Sequence, residues 1–309
     1  MKTNPFVYYS SAHYTIPTFL SCFSLIKNYN STIPLNINII HNNLPDSSQN
    51  RFKSLETYWS QFKPVTISLI DVADIKKLDF KVMKNNLDFN INSSMCWGLD
   101  IETFFRMWLA EIIDSDYAFS LDADTLILED ISSVWDFNVD PDIYVMGCKH
   151  FTDRSAWYNE WLNGREGLYI NSGVLLWNLK AIRDNNIIPQ FEKEMQENPF
   201  LDQEIINRVC YGHIRELPIE YNAGTPMRKL KEPRLNFSQE DIDIIHNHPK
   251  IIHYTSKWKP WIGEVLDSDK YEKNLSEVYD TKLLTPEEYY QWRKTLKWPG
   301  VDKTRKVVD

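Results

Sequence analysis

No stretch of these 309 residues approaches the roughly 20 consecutive apolar residues that a membrane-spanning helix needs, so no helical crossing of a bilayer is expected. Residues Met1–Tyr9 carry one lysine and a short apolar stretch without a small-residue cleavage site, and no secretory leader is expected there. Cysteine is scarce. Cys22, Cys96, Cys148 and Cys210 lie far apart with no C-x-x-C spacing, which points away from a thiolate zinc site and from a dense disulfide framework. Buried free thiols in a reducing, cytoplasmic setting are the expectation. Positive charge is in deficit as well: 34 Lys and Arg against 43 Asp and Glu leave a net charge of -9, which argues against broad nucleic-acid binding. A phosphorylated ligand would need a local positive charge, such as a metal.

What is present is the composition of a globular protein with a full core, 43% hydrophobic and 25% charged. Short β-branched and aromatic runs at Phe6–Tyr9, Leu35–His41 and Val65–Ile70 read as strands, with Ser47–Phe62 as an intervening helix. A helical stretch near Ile101–Ile113 leads into an apolar strand at Tyr117–Leu121. Further strands are expected at Ile143–Cys148 and Gly173–Trp177, and helices at Lys180–Glu197 and Asp202–Tyr211. This alternation predicts an α/β fold with a mostly parallel sheet covered by helices on both faces. The asparagine-rich Lys84–Ser94 and the polar Ala223–Lys250 read as long loops. A catalytic unit over residues 1–263 and a helical extension over 264–309 are expected. The tail mixes Tyr289, Tyr290, Trp292 and Trp298 with six Lys and Arg residues, a composition that suits an anionic membrane surface and equally a packing helix with a solvated basic end.

The sharpest chemical feature is Asp122-Ala123-Asp124 directly after an apolar strand. Carboxylates at i and i+2 converge on one cation when the chain turns, and hard oxygen ligands suit Mg²⁺ or Mn²⁺. Alone, such a pair is more often a solvated turn. A second apolar strand, Ile251-Ile252, delivers His253, and Lys259-Pro260-Trp261 follows six residues on; an imidazole is a good Mn²⁺ ligand, and a lysine is a point charge for phosphate. Asn171-Ser172-Gly173 and Asp202-Gln203 place amides and a carboxylate at the edges of apolar elements, suited to sugar hydroxyls or to ordinary caps and turns.

Five motifs in order, FFRMWLAEII, SLDADTLILEDISSVWD, YINSGVLLWNLKAIR, DQEIINRV with LPIEYN, and HYTSKWKPW, strongly resemble the retaining glycosyltransferases of family 8, the group of glycogenin and bacterial lipooligosaccharide galactosyltransferases. The resemblance runs to about Trp261. It implies a GT-A fold, a UDP-sugar donor and a Mn²⁺ or Mg²⁺ cofactor held by Asp122, Asp124 and His253. It further implies that Lys259, Arg106 and Ala123 meet the donor, that Tyr8 is a candidate for the nucleobase pocket, and that Asn171, Asp202 and Gln203 serve the transferring sugar. The acceptor would be a glycan, lipid-linked or protein hydroxyl, with a possible peripheral membrane contact through the tail and no nucleic acid. The chain departs from the family pattern at Ser10–Tyr14, at Ser256 and at Cys148-Lys149-His150.

Family resemblance implies transfer with retention, by front-face attack; a double displacement would need a carboxylate nucleophile, for which Asp202 is the candidate. Competing readings are a nucleotidyltransferase, disfavoured because Tyr8–Tyr14 contains no glycine, a glycoside hydrolase, and a non-catalytic carbohydrate-binding relative. Among the tryptophans, including Trp97, Trp157 and Trp161, only the Trp258–Trp261 turn is expected near the site.

Overall fold

Period-two alternation along the first strand, β1 (Phe6–Tyr9), divides the molecule into two layers. Phe6 and Tyr8 enter one buried cluster with α1 (Thr15–Asn28) and α2 (Asp46–Trp59). Val7 and Tyr9 enter the other, with a tight 3₁₀ segment (Ile101–Trp108) and α4 (Leu109–Ile112) on the opposite face. The structure, a computed structural model, describes residues 4–73, 75, 80–91, 100–150, 167–233, 236–255, 258–263 and 265–296.

The main sheet has seven strands in the order β3-β2-β1-β4-β7-β6-β8. These are β2 (Leu35–His41), β3 (Val65–Asp71), β4 (Tyr117–Leu121), β6 (Val145–Lys149), β7 (Ile170–Asn178) and β8 (Ile214–Glu216) besides β1. β1 pairs parallel with β2 and β4, β2 with β3, and β6 with β8, whereas β7 runs antiparallel to both β4 and β6. The mostly parallel sheet predicted from the sequence is therefore present, with one reversed strand. The chain leaves β1 toward β2 and β3 and returns to β4 on the other side, so a topological switch point lies between β1 and β4. A small second sheet joins β5 (Thr125–Ile127), β10 (Ile251–His253) and β9 (Ala223–Gly224).

Several local expectations are corrected. The asparagine-rich stretch read as a loop is α3 (Phe80–Ile91) as far as Ile91, and 92–94 lie outside the described residues. Met83 is fully buried there, and Asn86 donates to the carbonyls of Met195, Asn198 and Phe200 at 2.9, 3.2 and 3.3 Å, which turns a loop-former into a tertiary tie. The long helix expected over Lys180–Glu197 is two, α5 (Leu179–Asp184) and α6 (Ile188–Glu197). They break at Asn186, whose φ of 50° lies in the left-handed region that asparagine tolerates. The expected helix at Asp202 is α7 (Asp202–Val209). Within the polar 223–250 stretch, Ser238 and Asp241 form a reciprocal capping box that starts α8 (Gln239–Asn247), a device worth about 1 kcal/mol.

The C-terminal helices α9 (Ser268–Thr281) and α10 (Pro286–Thr295) pack into the layer of α1 and α2. Thr285 and Glu288 form a second capping box, with Pro286 in the first turn. Tyr289, Arg293 and Leu296 are buried, and Arg293 donates to the Trp261 carbonyl at 2.9 Å. This part of the tail is thus a packing helix; the basic residues after 296 lie outside the described residues. Cys22, Cys148 and Cys210 are buried free thiols, and Cys96 lies outside the described residues. No helix among the described residues is long and apolar enough to cross a membrane.

Candidate active site

The C-terminal ends of β1 and β4 open onto a cleft of about 250 Å³, at the switch point where open α/β sheets bind ligands. Asp122 leaves β4 and is held by its N–H to the Gly173 carbonyl of β7 at 2.7 Å. A turn follows at once: both the N–H and the hydroxyl of Thr125 donate to the Asp122 carbonyl, at 3.2 and 2.8 Å, which brings the two carboxylates to one side. β5 then pairs antiparallel with β10, with Thr125 opposite His253, and Tyr254 N–H donates to the Asp124 carbonyl at 2.9 Å. That register brings the imidazole to the carboxylates across more than 120 residues of chain.

His253 Nε2 lies 3.5 Å from Asp122 Oδ2 and 3.1 Å from Asp124 Oδ1. One ligand atom each from Asp122, Asp124 and His253 fall within 4.8 Å of one another. Asp124 Oδ1 is buried and receives no hydrogen bond among the described residues. A buried carboxylate oxygen met only by the imidazole and lying beside a second carboxylate fits a divalent cation such as Mn²⁺ or Mg²⁺. Gly173 makes room for the cluster, because a Cβ there would overlap the His253 ring and come within 2.7 Å of Asp122 Oδ2.

Cations surround the carboxylates. Arg106, buried at the end of the 3₁₀ segment, reaches Asp122 at 2.7 Å and Asp202 at 3.0 Å, donates to the Ser172 carbonyl, and lies over the Tyr9 ring at 4.9 Å. Lys259, 3% exposed, ion-pairs with Asp124 and donates to the Tyr254 carbonyl at 2.7 Å. Burial would raise the Asp122 carboxyl, but Arg106 and His253 more than offset it and hold it well below the usual carboxylate range. Asp124 is lowered in the same way, with Lys259 and His253 opposing burial. Burial disfavours charge on His253, yet the two carboxylates push it up to about 9. Burial raises Asp202 despite Arg106.

The other end of the cleft is built from amides. Asn171 donates to Gln203 Oε1 at 2.8 Å, Gln203 Nε2 donates to the Tyr169 hydroxyl at 3.2 Å, and that hydroxyl donates to Glu204 at 3.1 Å. Glu102 and Glu204 also line the cleft, and burial pushes each up to about 7.

Of the residues singled out from the sequence, Arg106, Asp122, Ala123, Asp124, Asn171, Asp202, Gln203, His253 and Lys259 all line this cleft. Tyr8 does not: its side chain is fully buried on the other face of β1, and its hydroxyl bonds to Ser21 at 3.1 Å. Ser21 in turn meets Thr125 at 2.8 Å, so Tyr8 supports the Asp122–Thr125 turn from behind. The rings that face the cleft are Tyr9 and Tyr14, with Trp261 edge-on behind Tyr14. Sequence reasoning assigned no role to Tyr9, Tyr14, Gly173 or Asn222: Gly173 stood only inside Asn171-Ser172-Gly173, Tyr14 only at the end of Ser10–Tyr14, and Asn222 only as the last letter of LPIEYN.

Comparison with known proteins accords with this geometry. General stress protein A of Bacillus subtilis (strain 168) is 28% identical over 185 residues, 58% of this chain and 58% of that protein. A probable glycosyl transferase, Gly, of Streptococcus gordonii is 26% identical over 194 residues, 60% of this chain and 26% of that protein, so the chain spans well under two thirds of these relatives. Among solved structures, the galactosyltransferase LgtC with donor and acceptor sugar analogues superposes with a TM-score of 0.70 at 17% identity, over 90% of this chain and 99% of that one. The bifunctional WbbM apo structure gives 0.71 at 19% identity, over 91% of this chain and 51% of that one. At such identities the likeness is one of fold, and the fold is GT-A. The profile of Glycosyl transferase family 8 matches residues 5–264, and the chain belongs to that family.

Proposed function

We propose that the protein is a metal-dependent glycosyltransferase that passes a hexose, glucose or galactose, from a UDP-sugar to a hydroxyl of a glycan acceptor with retention of anomeric configuration. The observation that carries this reading is the convergence of Asp122, Asp124 and His253 with Arg106 and Lys259 in one cleft of a family 8 chain. Asp122, Asp124 and His253 would hold the cation, and a bound Mn²⁺ or Mg²⁺ would supply charge to stabilise the departing diphosphate.

The chain's own groups then divide the work. Lys259, paired with Asp124, would present its ammonium to a phosphate of the donor. Arg106 fixes Asp122 and Asp202 at once, tying the metal side to the sugar side. Ala123 leaves room for the donor between the two aspartates, and Tyr9 and Tyr14 offer ring faces to it. Asn171, Asp202 and Gln203 face the transferring sugar. Asp202 is engaged by a guanidinium at 3.0 Å, which lowers its nucleophilicity and favours front-face attack over a covalent sugar intermediate. Gln203 keeps its carbonyl oxygen turned to β7, where Asn171 Nδ2 and Ser172 N–H donate to it at 2.8 and 3.3 Å.

The test is a panel of nucleotide sugars with Mn²⁺, following nucleoside diphosphate release, with EDTA and Asp124→Asn as controls. Release from one donor that both controls abolish is expected; release that survives EDTA would overturn the metal-dependent reading, and donor binding without release from any sugar would favour a non-catalytic relative. A peripheral membrane contact is assigned to the basic residues Lys297, Lys303, Arg305 and Lys306. Truncation must begin after 296, because Tyr289, Arg293 and Leu296 belong to the core. Loss of binding to anionic vesicles with donor turnover intact is the expected result, and unchanged vesicle binding would refute the contact.

A further inference from the structure

One hydrogen-bonded chain runs from the metal-side histidine to the sugar side of the cleft, and its direction can be worked out. Backbone N–H groups only donate. Gly173 N–H meets Asn171 at 3.0 Å and Ser172 N–H meets Gln203 at 3.3 Å, so the amide atoms they meet are oxygens. With Asn171 Oδ1 fixed as an acceptor, the Asn222 atom 2.8 Å away must be its NH₂. The Asn222 oxygen is then the atom that faces His253 Nδ1 at 3.0 Å, and an oxygen without hydrogen compels Nδ1 to carry the proton. Nε2, the nitrogen turned toward Asp122 and Asp124, keeps its lone pair for a ligand whenever the ring is neutral.

We propose that Asn222 is a positioning residue for the metal: it locks His253 in the Nδ1–H tautomer, and its own orientation is set by Asn171 and the backbone of β7. The inference rests on the reading above that Asp122, Asp124 and His253 bind a divalent cation. Asn222 suits this role physically, being fully buried and lying within hydrogen-bonding distance of both His253 and Asn171. Every bond in the chain points the same way, from His253 through Asn222, Asn171, Gln203 and Tyr169 to Glu204, so each donor polarises the next. Partners of this kind orient metal-bound imidazoles and raise their basicity, and their loss weakens metal affinity by about 10–100-fold. A perturbation at the sugar-side amides is therefore transmitted to the metal ligand with diminishing strength along the chain.

The experiment has two parts on the full chain. Mn²⁺ affinity, read from the electron-spin signal of free Mn²⁺, is compared among wild type, Asn222→Ala, Asn171→Ala and Gln203→Ala. The expected loss is about 10–100-fold for Asn222→Ala, with smaller losses in that order for the other two. Independently, nitrogen NMR of histidine-labelled wild type loaded with diamagnetic cadmium, with His253 assigned by its loss in His253→Asn, should show the proton on Nδ1. Asn222→Ala binding within twofold of wild type, or a wild-type proton on Nε2, would overturn the proposal. Because the NMR measurement needs no change at Asn222, a misfolded variant does not remove the test. Failure of wild type to bind Mn²⁺ would instead sink the metal reading itself and this inference with it.

Discussion

The two ends of the cleft are made by different means. At the charged end, Asp122, Asp124, His253, Arg106 and Lys259 are brought together by the pairing of β5 with β10 and by the turn after β4. At the amide end, Asn171, Gln203 and Tyr169 are neutral groups that satisfy one another and are anchored by the N–H groups of Ser172 and Gly173. The charged end is costly to bury and depends on every partner being in place, because removal of one charge strands another. The amide end spreads its energy over several modest bonds, so a single deletion should be tolerated.

The largest test of that contrast is Asp124→Asn. Lys259 and Asp124 have side-chain exposures of 4% and 9%, so the variant leaves an unpaired buried cation. We expect a loss of roughly 10³-fold in turnover, measured as nucleoside diphosphate release. A loss of about 3–5 kcal/mol in stability, measured by denaturant unfolding without metal, should accompany it. Undiminished stability would show that the charged end is not held by mutual pairing.

Gly173→Ala probes the seam between the two ends, since the new Cβ would displace both His253 and Asp122. A fall of about 10²-fold in turnover with weakened Mn²⁺ binding is expected, and an active variant would mean that β7 can give way. Gln203→Ala should cost only about tenfold in kcat and lower the unfolding midpoint less than Asp124→Asn does, because the three hydrogen bonds of its side chain are all between neutral groups. A loss as large as that of Asp124→Asn would erase the contrast.

A separate effect, on stability rather than turnover, concerns pH. Glu102 would ionise near 4.5 in the unfolded chain and is pushed up to about 7 by burial in the fold. Between these values the folded state holds more protons than the unfolded one, so this residue makes stability fall as pH rises, with the full cost present above about 7. Glu102→Gln should therefore gain stability relative to wild type as pH climbs through that window and gain none below 4.5, as read from unfolding curves at each pH. A pH-independent difference would place Glu102 in a more polar setting.

Much of this arrangement was legible in the linear chain. An acidic pair after an apolar strand and a histidine closing another one marked the charged end, because open α/β sheets form their ligand crevice at the carboxyl ends of strands. The ordered motifs marked the family. The asparagine-rich stretch misled because its helix is decided by Met83 and by the ties of Asn86 to the end of α6, neither of which is local. The tail composition likewise left two readings open, and as far as Leu296 it was the burial of Tyr289 and Arg293 against residues far away in sequence that made it a packing helix.

The sequence by itself determined where the acidic pair and the strand-ending histidine stand and which segments form β1 to β4, β6, β7 and β10, since alternation and residue type are local properties. Only the tertiary structure decided which face of each strand became the cleft. Tyr8 and Tyr9 are adjacent aromatics that the sequence cannot rank, and a period of two sends one into the layer of α1 and the other to Arg106. The same holds for Gly173 and Asn222. Their roles exist only because β7 and β10 approach the end of β4, and close approach between distant strands is a matter of register and packing that no local pattern records.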